Sequence, residues 1–550
     1  MKPVKLAAAL LLVIAAAALG LSVLFTSPAP DNNVPAAEFS ALRAAEDIKV
    51  IAREVHTNND TEAISAVREY LAATLRDIGL EVEMRTYEKD YEKAEHGHGT
   101  HVTAVDVCGT LRGKAGRSIL LVAHYDSNPG LGTGEAPGSH GASDDAYGVS
   151  VILETLRCIA ARGNIQNTIR VVFTDAEETS MLGSEAIAAD PEYNALASDA
   201  VFNIESRGLS GPSILFETSV NNESLVRFYA ANNPHPASWS LATDVYRIMP
   251  NYTDFTAFIE QGMQGLNFSN LHKIEDNHTP RDIYENISLS AIQDYGEQVL
   301  PLVYAFASGN APDTFEATRD MAWFTLMRGI LISFPAFMNW AWLGLALLSL
   351  AAYVIAAHRR EKLKLRHLLR AVVYLGMAIA IAAVGTGIAW LLAQLFGLPY
   401  NLMNLVGLPG FEGITIALIA LVMLLLTLYM RGRIIKRGRT FAEMTAPAIL
   451  LSVLLAAVFT VLLPGGAFLF SFGAIFASIF GLLALRHPTF SLFTGFVSVW
   501  IAAPVVALLL IALTPGALGI VLMFASFPLF IAAPSPAAVL AERKAKVADI

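Results

Sequence analysis

The run Ser118-Ile119-Leu120-Leu121-Val122-Ala123-His124-Tyr125-Asp126-Ser127 decides the fold of the front half of the chain. Five consecutive apolar residues with no polar alternation make a strand buried on both faces, which requires helices on each side of a sheet of parallel strands. Similar short runs follow at Ile169-Arg170-Val171-Val172-Phe173, Ala200-Val201-Phe202-Asn203-Ile204 and Gly265-Leu266-Asn267-Phe268, and Glu81-Val82-Glu83-Met84-Arg85 alternates as a half-buried strand does. Between them, residues 65–78, 147–161 and 288–307 carry apolar groups at helical spacing. The expectation is an α/β domain over residues 43–310, its sheet mostly parallel and its helices on both faces.

In open α/β sheets ligands bind beyond the carboxyl ends of the strands, so the residues after each run carry the functional signal. Those residues are chemically alike: His124-Tyr125-Asp126-Ser127, Asp144-Asp145 in Gly141-Ala142-Ser143-Asp144-Asp145-Ala146-Tyr147-Gly148, Asp175-Ala176-Glu177-Glu178, Glu205-Ser206-Arg207-Gly208, and Asn277-His278-Thr279-Pro280-Arg281-Asp282. Singly each has an ordinary structural reading, Asp144-Asp145 as a helix cap and Glu177-Glu178 as a solvated turn. Gathered in one cleft, the carboxylates would repel one another unless a cation held them, and a pair of divalent metal ions supplies that charge. Mixed imidazole and carboxylate donors suit zinc, and two neighbouring ions suit hydrolysis. The loop Gly130-Leu131-Gly132-Thr133-Gly134 lacks the spacing of a dinucleotide fingerprint.

The rest of the chain belongs to a bilayer. The 550 residues are 54% hydrophobic and 16% charged. From Pro335 on there are 15 Lys and Arg against 5 Asp and Glu, leaving 23 against 43 before it. The acidic front argues against nucleic acid as a partner. Cys108 and Cys158 are too few for a disulfide scaffold or a Cys-rich zinc module, and Cys158 is expected on the buried face of a helix. An apolar run over residues 6–25, behind Lys2 and Lys5, reads as a retained signal anchor (residues 1–25), followed by a linker over 26–42. Seven further runs, 336–357, 371–396, 413–430, 444–463, 467–485, 489–513 and 516–533, make a seven-span domain over 335–534 with a tail at 535–550. Basic connections alternate with neutral ones, so the positive-inside rule places both termini in the cytoplasm and the front domain outside it, periplasmic in a bacterium or lumenal in a eukaryote. The connector 311–334 includes the apolar stretch 323–334, interrupted by Arg328, which reads as an interfacial segment. No ionisable residue lies within a span, Glu412 and Glu443 being at edges, which suits an anchor or platform better than a transporter.

At the strand-end residues the chain resembles the co-catalytic dizinc aminopeptidase family of the zinc exopeptidase fold. The resemblance rests on His124-Tyr125-Asp126, Gly141-Ala142-Ser143-Asp144-Asp145, Glu177-Glu178, Glu205 and His278-Thr279, in that order. One such domain between an N-terminal span and a multi-span region is similar to the membrane-bound branch that includes the endoplasmic reticulum metallopeptidase and the vacuolar membrane protease. The resemblance implies two zinc ions, with Asp144 bridging them, His124 and Glu205 on one, and Glu178 and His278 on the other. It implies Glu177 as the general base acting on a metal-bridging water, and Asp126 as the residue that orients His124. Asp282 would do the same for His278, and Asp145 and Asp254 would stand as supporting or substrate-cleft residues. Asn277 and Ile283 depart from the family pattern beside the site. The implied activity is hydrolysis of N-terminal residues from peptides at the bilayer. The rival readings are a single-zinc glutaminyl cyclase-like enzyme and a non-catalytic membrane binding or assembly factor.

Overall fold

A computed structural model describes residues 2–29, 34–59, 61–94, 99–130, 138–249, 251–396, 411–512 and 515–545. The glycine-rich loop 131–137, part of the linker (30–33), most of the uncharged loop after residue 396 and the end of the tail lie outside these. Contacts divide the chain into two units, Leu24–Pro335 and Met1–Val23 with Ala336–Ile550.

The first unit is built on a seven-stranded sheet. Its strands are β1 (Glu81–Asp90), β2 (His101–Leu111), β3 (Ser118–His124), β4 (Thr168–Thr174), β5 (Val201–Ile204), β6 (Ile214–Thr218) and β7 (Gly265–Ser269), in spatial order β1-β2-β4-β3-β5-β7-β6. The central four, β4, β3, β5 and β7, are mutually parallel, and β2 and β6 join them antiparallel. The sheet is therefore mixed, with a parallel centre. Side-chain alternation explains why the central strands are apolar throughout. Ile119, Leu121 and Ala123 of β3 pack in the main core with helices Ala41–Ile51, Ala146–Arg162 and Leu289–Ala307. Leu120 and Val122 face the other way, into a cluster with Phe255 and Phe258 of helix Asp254–Glu260.

The helices expected at 65–78, 147–161 and 288–307 form over Thr61–Ile78, Ala146–Arg162 and Leu289–Ala307. Cys158 is fully buried on the second of these, beside Glu154. Two strands escaped the pattern reading. In β2 the apolar run is broken by Asp106, which is buried and accepts the backbone N–H of Asp175, and in β6 Glu217 is buried against the Asn267 amide. The stretch 323–334, expected as an interfacial segment, is part of a hairpin of β8 (Met321–Met327) and β9 (Ile330–Pro335). Trp323 is buried, with its indole N–H on Ser238, so this strand belongs to the α/β unit.

Among the described residues, seven helices are long and apolar enough to cross a membrane, and a bent pair, Leu518–Ala532 with Pro534–Ala541, makes up to eight. Large apolar side chains such as Leu347, Leu348, Val372 and Ile379 stand exposed on them, as groups meeting lipid tails do. Small residues set the closest approaches: a Cβ on Gly385 would lie 2.9 Å from the Gly519 Cα. Glu443 pairs with Arg370 at 3.0 Å, each in the first turn of its helix, so the charge is met at the edge of the spans.

Gly148 fixes how closely the helix after Asp145 meets β5, since a Cβ there would overlap the Ile204 carbonyl oxygen. Gly148→Ala is expected to destabilise the unit by about 1–3 kcal/mol or more through overpacking. The check is a thermal melt of the detergent-purified protein, where an unchanged transition would contradict it.

Candidate metal centre

The donors converge at the carboxyl ends of β3, β4 and β5, joined by the helix start at Asp144 and the loop after β7. His124 is the last residue of β3, and its Nε2 lies 3.1 Å from Asp144 Oδ1. His278 Nε2 lies 3.0 Å from the other Asp144 oxygen and 3.1 Å from Glu178 Oε2. Donor atoms of His124, Asp144 and Glu178 all fall within 4.8 Å of one another. Glu177 Oε2 is 4.0 Å from His124 Nε2. The His124 side chain is 3% exposed and that of His278 46%, so the cluster is closed from the sheet side and open at His278.

Local conformation aims these groups. Ala176, just before the Glu pair, and His278 itself adopt left-handed backbone at φ 62° and 54°, a cost that persists where surrounding bonds enforce it. Asp126 supplies two of those bonds: its Oδ1 accepts the Glu177 N–H at 3.0 Å and its Oδ2 the Glu178 N–H at 3.2 Å. This corrects the expectation that Asp126 orients His124 through its carboxylate. The His124 Nδ1 lies 3.0 Å from the Asp126 backbone oxygen and 3.6 Å from the carboxylate, so the main chain holds the ring and the side chain holds the Glu turn.

Asp282 likewise acts elsewhere than expected. It accepts the backbone N–H groups of Ser143 at 2.7 Å and Asp144 at 3.2 Å, together with the Ser139 hydroxyl, fixing the loop that presents Asp144 instead of the His278 ring. Asp145 caps the helix by accepting the Gly148 N–H at 3.0 Å. Asp254 is buried and takes the Thr174 hydroxyl at the end of β4. Glu205 stands apart from the compact trio. Arg207 donates to its Oε1 at 3.2 Å and Asn203 to its Oε2 at 3.4 Å. Reading residues alone missed Arg207 and Asn128, whose amide donates to Glu178 at 2.8 Å. Nothing in a motif marks them, because they act through contact with residues the motifs do mark.

The electrostatics call for a cation. Burial, with Glu178, Asp254 and Glu205 nearby, pushes Glu177 well above the usual carboxylate range against the pull of His124. Burial, opposed by Arg207 and reinforced by Asp144, raises Glu205 to about 7. Burial would also raise Asp144, but hydrogen bonds from His124 and His278 outweigh it and hold it well below that range. Glu178 Oε1 is buried with no hydrogen-bond partner. A divalent ion of borderline softness, which accepts both imidazole and carboxylate donors, satisfies this donor set, and zinc fits it.

A mixed sheet with a parallel centre, helices on both faces and this donor cluster at the strand ends resemble the zinc-dependent exopeptidase fold. Residues 106–303 match the model of Peptidase family M28. Over 271 residues it is 26% identical to endoplasmic reticulum metallopeptidase 1 of Mus musculus, covering 48% of this chain and 29% of that protein. It is 25% identical over 258 residues to the vacuolar membrane protease of Candida dubliniensis, covering 45% and 26%. The solved glutaminyl cyclase of Porphyromonas gingivalis matches 48% of this chain and 98% of its own, at 21% identity and a TM-score of 0.39. The matches span less than a third of the two curated relatives' lengths.

Removing the carboxylate that braces the Glu turn should loosen metal binding without deleting a ligand. Asp126→Ala is expected to weaken zinc affinity roughly 10–100-fold, as losing a group that orients a ligand does. Calorimetric zinc titration checks this, and wild-type affinity would show the brace to be dispensable.

Proposed function

We propose that the chain is a membrane-anchored zinc aminopeptidase that hydrolyses N-terminal residues of peptides outside the cytoplasm. The observation that carries this reading is the position of Glu177. Its carboxylate reaches the edge of the donor cluster, 4.0 Å from His124, while lying outside the compact trio of His124, Asp144 and Glu178. A buried carboxylate beside a metal centre, yet not consumed by it, is placed to move a proton.

Two zinc ions would be held by His124, Asp144, Glu178, Glu205 and His278, with Asp144 shared. When bound, zinc supplies a Lewis acid for the scissile carbonyl and an acidified water. Glu177 takes a proton from the attacking water and delivers it to the leaving amine, so the same carboxylate serves as base and then acid. Asp126 keeps Glu177 and Glu178 in register by holding both backbone N–H groups. Asp282 and Asn128 hold Asp144 and Glu178.

Hydrolysis of fluorogenic aminoacyl and N-blocked peptides by the detergent-purified protein tests the reading. Free-amino substrates alone are expected to be cleaved, with chelation abolishing the activity and zinc restoring it. Glu177→Gln is expected to lose roughly 10²–10⁴-fold in rate while retaining zinc. Zinc-loaded protein that cleaves no peptide but cyclises N-terminal glutamine would overturn it in favour of a cyclase.

The orientation follows from charge: Arg359, Arg360, Lys362, Lys364 and Arg366 in one connection, and Arg431, Arg433, Lys436, Arg437 and Arg439 in another, favour the cytoplasmic side. Both native cysteines are buried, so single introduced cysteines report cleanly. A membrane-impermeant maleimide should label a cysteine at Ser288 in intact cells or sealed right-side-out vesicles and spare one at Gly438. The reverse pattern would invert the topology.

A further inference from the structure

Among the described residues, Arg207 is the one cation that contacts the five proposed ligands, and no step of the proposed reaction uses it. Its Nε lies 3.2 Å from Glu205 Oε1, and Asn203 donates to the opposite oxygen, so both Glu205 oxygens already have donors. Glu178 differs: its Oε1 has no partner, and it belongs with His124 and Asp144 to the compact group. The guanidinium is held in place, with Nη2 3.4 Å from the Tyr252 carbonyl and the Arg207 backbone N–H on Ser269 and Asn270. A guanidinium does not lose its proton at any accessible pH, so its charge is permanent.

We propose that Arg207 makes the two ion positions unequal, weakening zinc at the Glu205 side so that one ion is resident and the other exchangeable. The inference rests on the two-zinc reading above. Arg207 acts in two ways. It draws electron density from the carboxylate that must bind the ion, which lowers ligand basicity in the manner by which neighbouring groups tune metal sites. It also places a like charge beside a divalent cation in a partly buried setting, where screening is weak. Arg207 is thus a positioning residue that works through Glu205. Among the described residues no Lys or Arg pairs with Glu178, whose neighbour is the neutral Asn128 amide.

Zinc titration of the metal-stripped, detergent-purified full chain, by calorimetry and by competition with a chromogenic chelator, tests this. Wild type is expected to bind two ions of unequal affinity. Arg207→Ala should tighten the weaker ion by roughly tenfold or more and leave the stronger one unchanged, as removing a like charge from a weakly screened setting does. Arg207→Lys keeps the charge and should keep the weak site weak. A purely structural role predicts the opposite, since losing a brace on Glu205 would weaken binding. Weaker binding in Arg207→Ala, equal affinities in wild type, or one ion in both proteins would overturn the inference. A thermal melt matching wild type ensures that each variant is folded. No zinc binding by the wild type would instead overturn the metallopeptidase reading itself, so the two failures are distinguishable.

Discussion

Everything at the strand ends depends on one carboxylate shared by two imidazoles. Asp144 sits within hydrogen-bond distance of His124 through one oxygen and of His278 through the other, so it ties the end of β3 to the loop after β7. To present both oxygens it must arrive at a fixed place and angle, and much of the surrounding structure serves that end. Asp282 accepts its backbone N–H, Asp145 starts the helix that follows, and Gly148 lets that helix close on β5 without a side chain between them. The sheet supplies rigidity: a centre apolar on both faces admits little slippage, because a one-residue shift would exchange the two cores.

The buried carboxylates divide into those that face the cluster and those that hold the ones that do. Asp126 and Asp282 each spend their oxygens on backbone N–H groups, a use that satisfies a buried charge without any metal. Glu177, Glu178 and Asp144 lie beside the histidines, and Glu205 is met by Arg207 and Asn203. This is why the site can concentrate so much negative charge and still fold: main-chain N–H groups satisfy two of these six carboxylates, and the Arg207 guanidinium meets a third.

The donor cluster was legible in the sequence because metal ligands must be specific residue types at strand ends, and apolar runs announce where strands end. His124, Asp144, Glu178 and His278 come together from the positions the runs indicated. The supporting roles were not legible. Whether Asp126 meets a ring or a backbone N–H turns on an Ala176 conformation that no spacing encodes, and Asp282 differs from a ring-orienting carboxylate only in where its loop folds. The two strands that escaped notice, β2 and β6, each carry a buried acid whose partner lies in a distant segment, so local pattern reads them as loops. The apolar helices were legible because lipid imposes a length and a composition on each one separately. The β8–β9 hairpin was apolar for another reason, the burial of Trp323 within the α/β unit, and composition alone does not tell these two causes apart.

The donors are also scattered along the chain: His124 enters early, and His278 comes after the last strand of the sheet. Their meeting requires pairings between segments far apart in sequence, which form late and slowly compared with local helices. A chain emerging from the ribosome thus exposes His124, the two Glu residues and Glu205 well before the residue that completes the set. On the proposed ligand set, metal capture would therefore be a final event in the maturation of this domain, and an ion bound sooner would meet a partial set of donors and be held loosely.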